Sequence, residues 1–548
     1  MINKILYQIS CTIYEFSLGF IKLIMVLLTS LLLISGFLFT CFSTDMETQL
    51  VLTKWDNPFF SLLETALFCL VLYWGIRLVS KIRALPAHRL LRFFVLGWCL
   101  LTGILLILFS RSVPAGDGYS VYSIAESLAA GDTSVIHPTD SYLSYYPQQA
   151  GLAAFWEILI RIWNLTRINL PAYHFIKLIY LLLECVIILF QEKLVHILWQ
   201  DEKAECLYLL LAGANCPLLM YTSFVYGEIP SFAAISVGFY FLIRLLTEKK
   251  SAQSTEFGLS EPPIPGKQKT AVHSALLAFA GFFFLTLSVA LRKNSLIFVI
   301  AAVLVMSLWG IRKKRPTLVL LAVFCTAGAL TVLPCVQKYY ENRSGNTLSS
   351  GVPAMSYFAM GMQESSRANG WYNGFNFYTY QDSGMDTETT IAISRDAIHQ
   401  RMLYFREHPG YAVTFYAQKY LSQWADGTYA CRQATLATFG GRVPFFVSLY
   451  EGDYSKYLIS YCNIYQNILY LGAFWFCLAA WRKKPRLPEY LGLISVLGGF
   501  LFHMIWEANA RYIFLYGLAL LPFTARGLSL LSDAFRHFNN TLRLRKSP

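Results

Sequence analysis

Charge is what this sequence has least of. Only 14% of its 548 residues are Asp, Glu, Lys or Arg, against about 25% in an ordinary soluble domain. That scarcity excludes a water-soluble enzyme. Cysteine is sparse too: the 12 cysteines include no Cys-x-x-Cys and no His/Cys pair at ligand spacing, which argues against a zinc site. Most lie in apolar runs, where they act as small apolar side chains. Cys431 and Cys462 are expected to be free thiols, with pairing as the alternative. The net charge of +13 forms no basic face of a folded domain, so no nucleic-acid partner is implied.

What is abundant is apolar and aromatic: 56% hydrophobic residues, with Tyr 34, Phe 41 and Trp 12. Crossing a bilayer takes about 20 apolar residues in a helix, because lipid cannot satisfy bare backbone groups. Such runs lie near 17–42, 59–80, 90–110, 172–198, 204–223, 227–247, 273–290, 294–310, 317–335, 464–481, 487–505 and 511–530. The first is too long, and too poor in small residues, for a removed signal peptide. The expected class is an all-α polytopic membrane protein of about twelve transmembrane helices. Lys81-Ile82-Arg83, Arg312–Arg315, the 482–486 loop and the tail around Arg543–Lys546 fall on one side if the spans alternate. The positive-inside rule then puts both termini and the 248–270 linker in the cytoplasm of a multi-pass cell-membrane protein.

Two long segments remain outside, 111–171 and 336–463. The sequence divides accordingly into an N-terminal transmembrane hairpin (1–89), a core (90–335), an extracytoplasmic cap (336–463), and C-terminal helices with a basic tail (464–548). The apolar stretch 148–165 must enter and leave from one side. Glu157 and Arg161, four apart, favour an interfacial helix over a true span.

Between Ser112 and Ile160 there is no Lys or Arg. Asp117 stands there between two glycines just after a span, and 119–130 has helical apolar spacing, an amphipathic surface helix. Asp117 is a candidate catalytic carboxylate; N-capping that helix is the competing role, and the two can coexist. Tyr142, Tyr145, Tyr146 and Gln148 flank a proline at the start of the interfacial helix. They suit a sugar-binding wall, although an interfacial aromatic belt gives the same enrichment.

Charged residues at outer span ends are costly and therefore functional candidates. They are Glu228 in Tyr226-Gly227-Glu228-Ile229-Pro230, the adjacent Arg292 and Lys293, and Glu507 with Arg511, one turn after His503. Glu507–Arg511 also reads as a simple ion pair. Trp371 and Tyr372, in a Gly/Asn turn, are candidates for an exposed acceptor rim or an ordinary packed turn. Lys177 and Glu184, inside 172–198, would instead suit a transporter, although no internal repeat is visible.

The acidic residue in a large first outer loop, the Tyr-Pro-opened interfacial helix and Gly-Glu-Ile-Pro at 227–230 resemble the GT-C superfamily. The nearest likeness is to bacterial protein-mannosyltransferase-like and aminoarabinose-transferase-like membrane glycosyltransferases. The resemblance runs over roughly residues 90–530. It implies a GT-C-like core with interfacial helices in the catalytic loop and a small cap. It also implies an inverting transfer from a polyprenyl-phosphate-linked sugar to an envelope polymer, lipid or protein. Asp117 falls at the catalytic aspartate, with Arg292, Lys293 and Arg511 as donor-phosphate ligands and Tyr142, Tyr145, Tyr146, Gln148, Glu228, Trp371, Tyr372, His503 and Glu507 around the substrates. Two departures stand out. Gly118 follows Asp117 where an acidic pair is common, which brings in Asp132 and Asp140 as substitutes, and two extra spans precede the loop. No cofactor is required; a divalent metal would matter only for a diphosphate donor. A transporter, flippase or ligase for lipid-linked glycans is the alternative.

Overall fold

The computed structural model describes residues 2–44, 48–81, 86–110, 112–139, 141–248, 265–432, 443–482 and 486–546. Residues 249–264 of the expected linker, and the loop positions 82–85 and 483–485, lie outside them. The chain is a multi-pass membrane protein, mostly helical: 11 helices among the described residues are long and apolar enough to cross a bilayer, or up to 12 if one bent pair counts as a span.

The first half contributes α1 (Ile2–Leu38), a β-ribbon of β1 (Phe39–Ser43) and β2 (Val51–Trp55), α2 (Pro58–Ser80), α3 (Ala87–Ser110) and α4 (Gly116–Ala130). There follow α5 (Tyr142–Tyr145), α6 (Ala150–Leu165), α7 (Ala172–Trp199), α8 (Glu202–Gly213), α9 (Cys216–Met220) and α10 (Glu228–Thr247). Then come α11 (Pro265–Leu291), α12 (Leu296–Lys313) and α13 (Pro316–Ser344). The second long segment holds α14 (Ala354–Gly361), α15 (Phe375–Asp382), α16 (Thr387–Glu407), α17 (Pro409–Trp424) and α18 (Pro444–Tyr450). Three helices close the chain, α19 (Ser455–Arg482), α20 (Leu491–Ile505) and α21 (Ala510–Lys546).

Three expectations need correction. The first apolar run does not continue to 42 as helix: at Phe39 it becomes β1, which pairs antiparallel with β2, Phe39 opposite Trp55. Phe-Thr-Cys-Phe-Ser is rich in the aromatic and β-branched side chains that favour a pleated surface. The run 204–223 is not one straight helix but α8 and a second piece bent by 48°. Pro217 has no N–H to give the preceding turn, and the Asn215 side chain instead accepts from Leu218 N, starting a new helix. Third, α13 runs on to Ser344 and α19 starts at Ser455, so helices occupy both ends of the expected 336–463 loop.

α6 has 16 residues and is not among the candidate spans. It lies against α4, α7, α11 and α13. Its Glu157 accepts from Arg161 at 2.9 Å, Arg343 at 2.6 Å and the Tyr340 hydroxyl at 2.6 Å. Burial raises the carboxyl, but these three donors outweigh it and hold Glu157 below the usual range. Both arginines also donate to Leu128 O, at 2.8 and 2.7 Å. Leu128 is in the last turn of α4, where its carbonyl also accepts from Gly131 N at 3.1 Å and where cations are favoured. The surface helix is thus fastened at its C-terminal end.

The ionisable residues buried in α7 are engaged locally. Lys177 Nζ donates to Ser112 O at 3.1 Å, and Glu184 accepts from Thr222 at 2.9 Å. Cys431 and Cys462 are both buried and no disulfide joins them; Cys431 Sγ lies 3.5 Å from the Met220 sulfur.

α6 meets α11 through Gly151: a Cβ there would run into the Ala290 carbonyl. Gly151→Val must therefore push two backbones apart. It is expected to cost about 1–3 kcal/mol, read as a lowered unfolding temperature of the purified protein.

Candidate functional site

Three helix ends meet at one carboxylate. Glu228 opens α10, Arg292 directly follows α11, and Arg511 lies in the first turn of α21. Arg292 Nη1 stands 2.6 Å from Glu228 Oε1, and Arg511 Nε is 3.5 Å from the same oxygen. The Glu228 side chain is 1% exposed. Gly227 makes the approach feasible, since a Cβ there would lie 3.0 Å from Leu291 O. Aromatic rings complete the shell: the Arg292 guanidinium lies 5.7 Å from the Tyr512 ring centre, and that of Arg511 lies 5.3 to 5.6 Å from Phe224, Tyr226 and Tyr512.

The charge count matters more than any one contact. Two guanidiniums face one carboxylate, leaving one positive charge in surplus in a largely buried setting. At an effective dielectric of about 20, unit charges 4 Å apart interact by about 4 kcal/mol before desolvation is subtracted, and the Asp117 charge offsets part of the surplus. Arginine is always charged and offers a planar fork that fits phosphate oxygens. Lys293, the neighbouring candidate, is exposed, and the ion pairs at Glu228 are those of Arg292 and Arg511.

Asp117 comes to this place from α4. The helix is preceded by Ala115, without a side-chain cap bond, and Asp117 sits within the first turn, exposed. It is therefore not the N-cap, though its charge suits that helix end. Neighbouring Gly118 faces the 224–226 segment, where an added Cβ would be 3.4 Å from Val225 O. The charge of Asp117 is felt at Tyr142, Tyr146, Tyr226, Tyr372, Glu507, Arg511 and Tyr512.

Glu507, in the loop between α20 and α21, is not the salt-bridge partner of Arg511 that the spacing allowed. It accepts from the Tyr512 hydroxyl at 3.1 Å, while Arg511 turns to Glu228. Burial pushes Glu507 up to about 7, with Asp117 adding to the rise and Tyr512 and Arg511 opposing it.

The other candidates separate. The Tyr142 and Tyr146 rings lie 4.9 Å apart, tilted by 49°, beside Asp117, and burial raises both hydroxyls, with the Asp117 charge adding to the rise. Gln148 hydrogen-bonds Tyr357, whose ring stacks on Trp506 at 5.2 Å. Tyr145 faces Phe377 and Tyr380. Tyr372 is half-buried within reach of Asp117 and Glu507. Trp371 is not an exposed rim residue: it is 3% exposed, and its indole N–H donates to Ser422 at 2.9 Å. His503 is fully buried, its ring 5.7 Å from that of Tyr512. Asp132 is exposed and accepts from Ser134 N at 2.9 Å. It follows the far end of α4, about 20 Å from Asp117 at 1.5 Å per residue, so it does not join the cluster. Asp140 lies outside the described residues. Among the described residues no group of three or more His, Cys, Asp or Glu side chains forms a metal site.

Sequence reading missed Tyr226, Gln149, Tyr512 and Lys419. Gln149 Nε2 donates to the Tyr226 hydroxyl at 2.7 Å, and the Tyr226 carbonyl accepts from Tyr180 at 2.6 Å, fixing the turn before Glu228. Tyr226 and Tyr512 adjoin motifs already singled out, which was their only signal. A small apolar cleft lies between α7, α10, α12, α20 and α21, with Phe232, Phe239, Phe298, Leu491 and Phe523 in its lining.

No family model matches the sequence, and no curated protein matches it. Among solved structures, the chain is similar to the archaeal oligosaccharyltransferase AglB from Archaeoglobus fulgidus in complex with an inhibitory peptide and a dolichol-phosphate. The TM-score is 0.42 with 14% identity, over 83% of this chain and 52% of that one. It is also similar to the Archaeoglobus fulgidus oligosaccharyltransferase tethered with an acceptor peptide containing the NVT sequon via a disulfide bond. There the TM-score is 0.43 with 12% identity, over 81% of this chain and 50% of that one. The chain spans about half the length of these structures.

Ionising Glu507 adds a negative charge beside the arginine pair. Binding of a phosphate ester there is therefore expected to weaken as pH rises through about 7. Titrating affinity between pH 6 and 8 should show a shallower dependence in Glu507→Gln than in the wild type.

Proposed function

We propose that this protein is a membrane glycosyltransferase that moves a sugar from a polyprenyl-phosphate donor to an extracytoplasmic acceptor, with inversion. The observation that carries the reading is the meeting of a surplus arginine charge with an exposed carboxylate at one end of the bundle. Arg292 and Arg511 share Glu228, and Asp117 stands within electrostatic reach of Arg511. A reaction that expels a phosphate while deprotonating an alcohol needs this pairing of a cationic leaving-group site and a nearby base.

In this scheme Arg292 and Arg511 hold the donor phosphate oxygens, and the prenyl chain lies along the apolar cleft. Asp117 takes the proton of an acceptor hydroxyl as its oxygen attacks the anomeric carbon. The bond from that carbon to the phosphate oxygen breaks, and its electron pair leaves with the polyprenyl phosphate. The product phosphate carries one more negative charge than the donor diester, and the arginines stabilise it. Tyr142, Tyr146 and Tyr372 form the sugar-facing wall, and no metal enters the scheme. The positive-inside pattern of Lys/Arg supports placing this end of the bundle outside the cytoplasm.

The test is a purified-enzyme assay for polyprenyl phosphate released from a polyprenyl-phosphate monosaccharide. Asp117→Asn is expected to lower kcat about 10²–10⁴-fold with little change in donor affinity. Arg511→Leu should weaken donor binding and turnover together. Full turnover in Asp117→Asn removes the base from the scheme. Translocation of the intact lipid-linked sugar without release would identify a flippase.

A further inference from the structure

Lys419, in the middle of α17, is fully buried. Its ammonium donates to Gly361 O at the end of α14 and to Trp506 O at 2.8 Å, in the loop between α20 and α21. The side-chain stem passes Gly370, whose φ of +74° and missing Cβ leave room for it: a Cβ would sit 2.7 Å from Lys419 Cδ and Cε. Gly370 O accepts from Ala508 N at 2.8 Å, next to a parallel bridge between Trp371 and Ala508. Gly361 lies against the same loop, where a Cβ would be 2.6 Å from Trp506 C. Residues 505–508 are thus gripped by α14, the Gly370 turn and α17. Of these grips only Lys419 brings a charge.

Burying an ammonium against neutral carbonyls is unfavourable, and an apolar side chain would pack the space at lower cost. The residue between the two gripped positions is Glu507, and its charge acts on Lys419. We propose that Lys419 is a positioning residue: it sets the Trp506–Ala508 segment so that Glu507 lies within electrostatic reach of Asp117 and Arg511, and it adds to the counter-charge that allows the buried Glu507 to ionise. The proposal rests on the transferase reading for its activity readout and is independent of it for the titration readout.

The groups around this pair come from several elements: Asp117 from α4, Arg292 after α11, Arg367 from the segment before Gly370, His503 from α20, and Arg511 and Tyr512 from α21. Burial draws Lys419 down to about 7, against the pull of Glu507, and pushes Glu507 up to about 7. The charges that act most on Glu507 itself are those of Arg511, Asp117 and Arg367, so a Lys419 contribution has to be read against them.

The experiment follows the protonated-carboxyl infrared band of Glu507, identified by its loss in Glu507→Gln, from pH 5 to 9 in the purified full chain. Lys419→Gln and Lys419→Met are expected to move its midpoint up by about one pH unit, and Lys419→Arg to restore it. A midpoint unchanged in a folded Lys419→Gln or Lys419→Met protein overturns the proposal. If neither variant folds, the reciprocal measurement decides. Glu507→Gln should lower the titration midpoint of Lys419, read by NMR of the labelled side chain, and an unmoved midpoint overturns it. With an active transferase, Lys419→Gln should lower kcat about 10²-fold with a smaller change in donor KM, and Lys419→Arg should recover the pH profile. A wild type without transferase activity would sink the functional reading and leave the titrations to decide this one.

Discussion

The whole loop end of this bundle turns on one buried carboxylate. Glu228 ion-pairs with two guanidiniums, and in doing so it ties the start of α10, the end of α11 and the start of α21 to a common point. Removing either arginine would leave a better-balanced pair; removing Glu228 would leave two cations confronting each other with little water to screen them. The carboxylate is what permits two positive charges to be stored so close together. Everything charged nearby is arranged around that store: Asp117 exposed at its edge, Glu507 turned toward Tyr512, and Lys419 behind Glu507.

The surface helix α4 is the second device. Its two ends do different work because a helix has electrically different ends. The C-terminal turn is fixed by Arg161 and Arg343 through Leu128 O, while the N-terminal turn carries Asp117 against the 224–226 segment. A carboxylate that must stand at an interface gains precision when the helix behind it is bolted to both α6 and α13. Precision of that sort comes from rigid supporting elements rather than from the carboxylate-bearing residue itself.

Most of the span pattern was legible in the sequence, because bilayer thickness imposes run length on composition directly. Hydropathy does not distinguish helix from strand, so Phe39–Ser43 read as more of the same helix, and a run of the right length hid the break at Asn215–Pro217. The short length of α6 and the acidic bias around Asp117 were visible locally. What could not be read was which distant charges would meet. Glu228, Arg292 and Arg511 each stood out as an oddity at a turn, but the single oxygen they share is a property of three helices in space. For Trp371 the Gly/Asn turn left an exposed rim and a packed turn open; the structure takes the packed one, under Ser422 and Ala508. Lys419 gave no signal, since one lysine on an aromatic helix ordinarily points to water.

The β-ribbon has a consequence of another kind. Cys41 N donates to Ala425 O at 2.8 Å, Val51 N to Arg367 O at 2.9 Å, and Ala508 N to Gly370 O at 2.8 Å. The seam between the membrane bundle and the segment above it is therefore stitched in three places by main-chain bonds, beside the bond from Lys419 to Trp506 O. Main-chain bonds are indifferent to most of the side chains flanking them, so this seam can drift in sequence while keeping its geometry, Gly361, Gly370 and Lys419 excepted. Such a joint would persist in shape among descendants long after their residues had ceased to look alike.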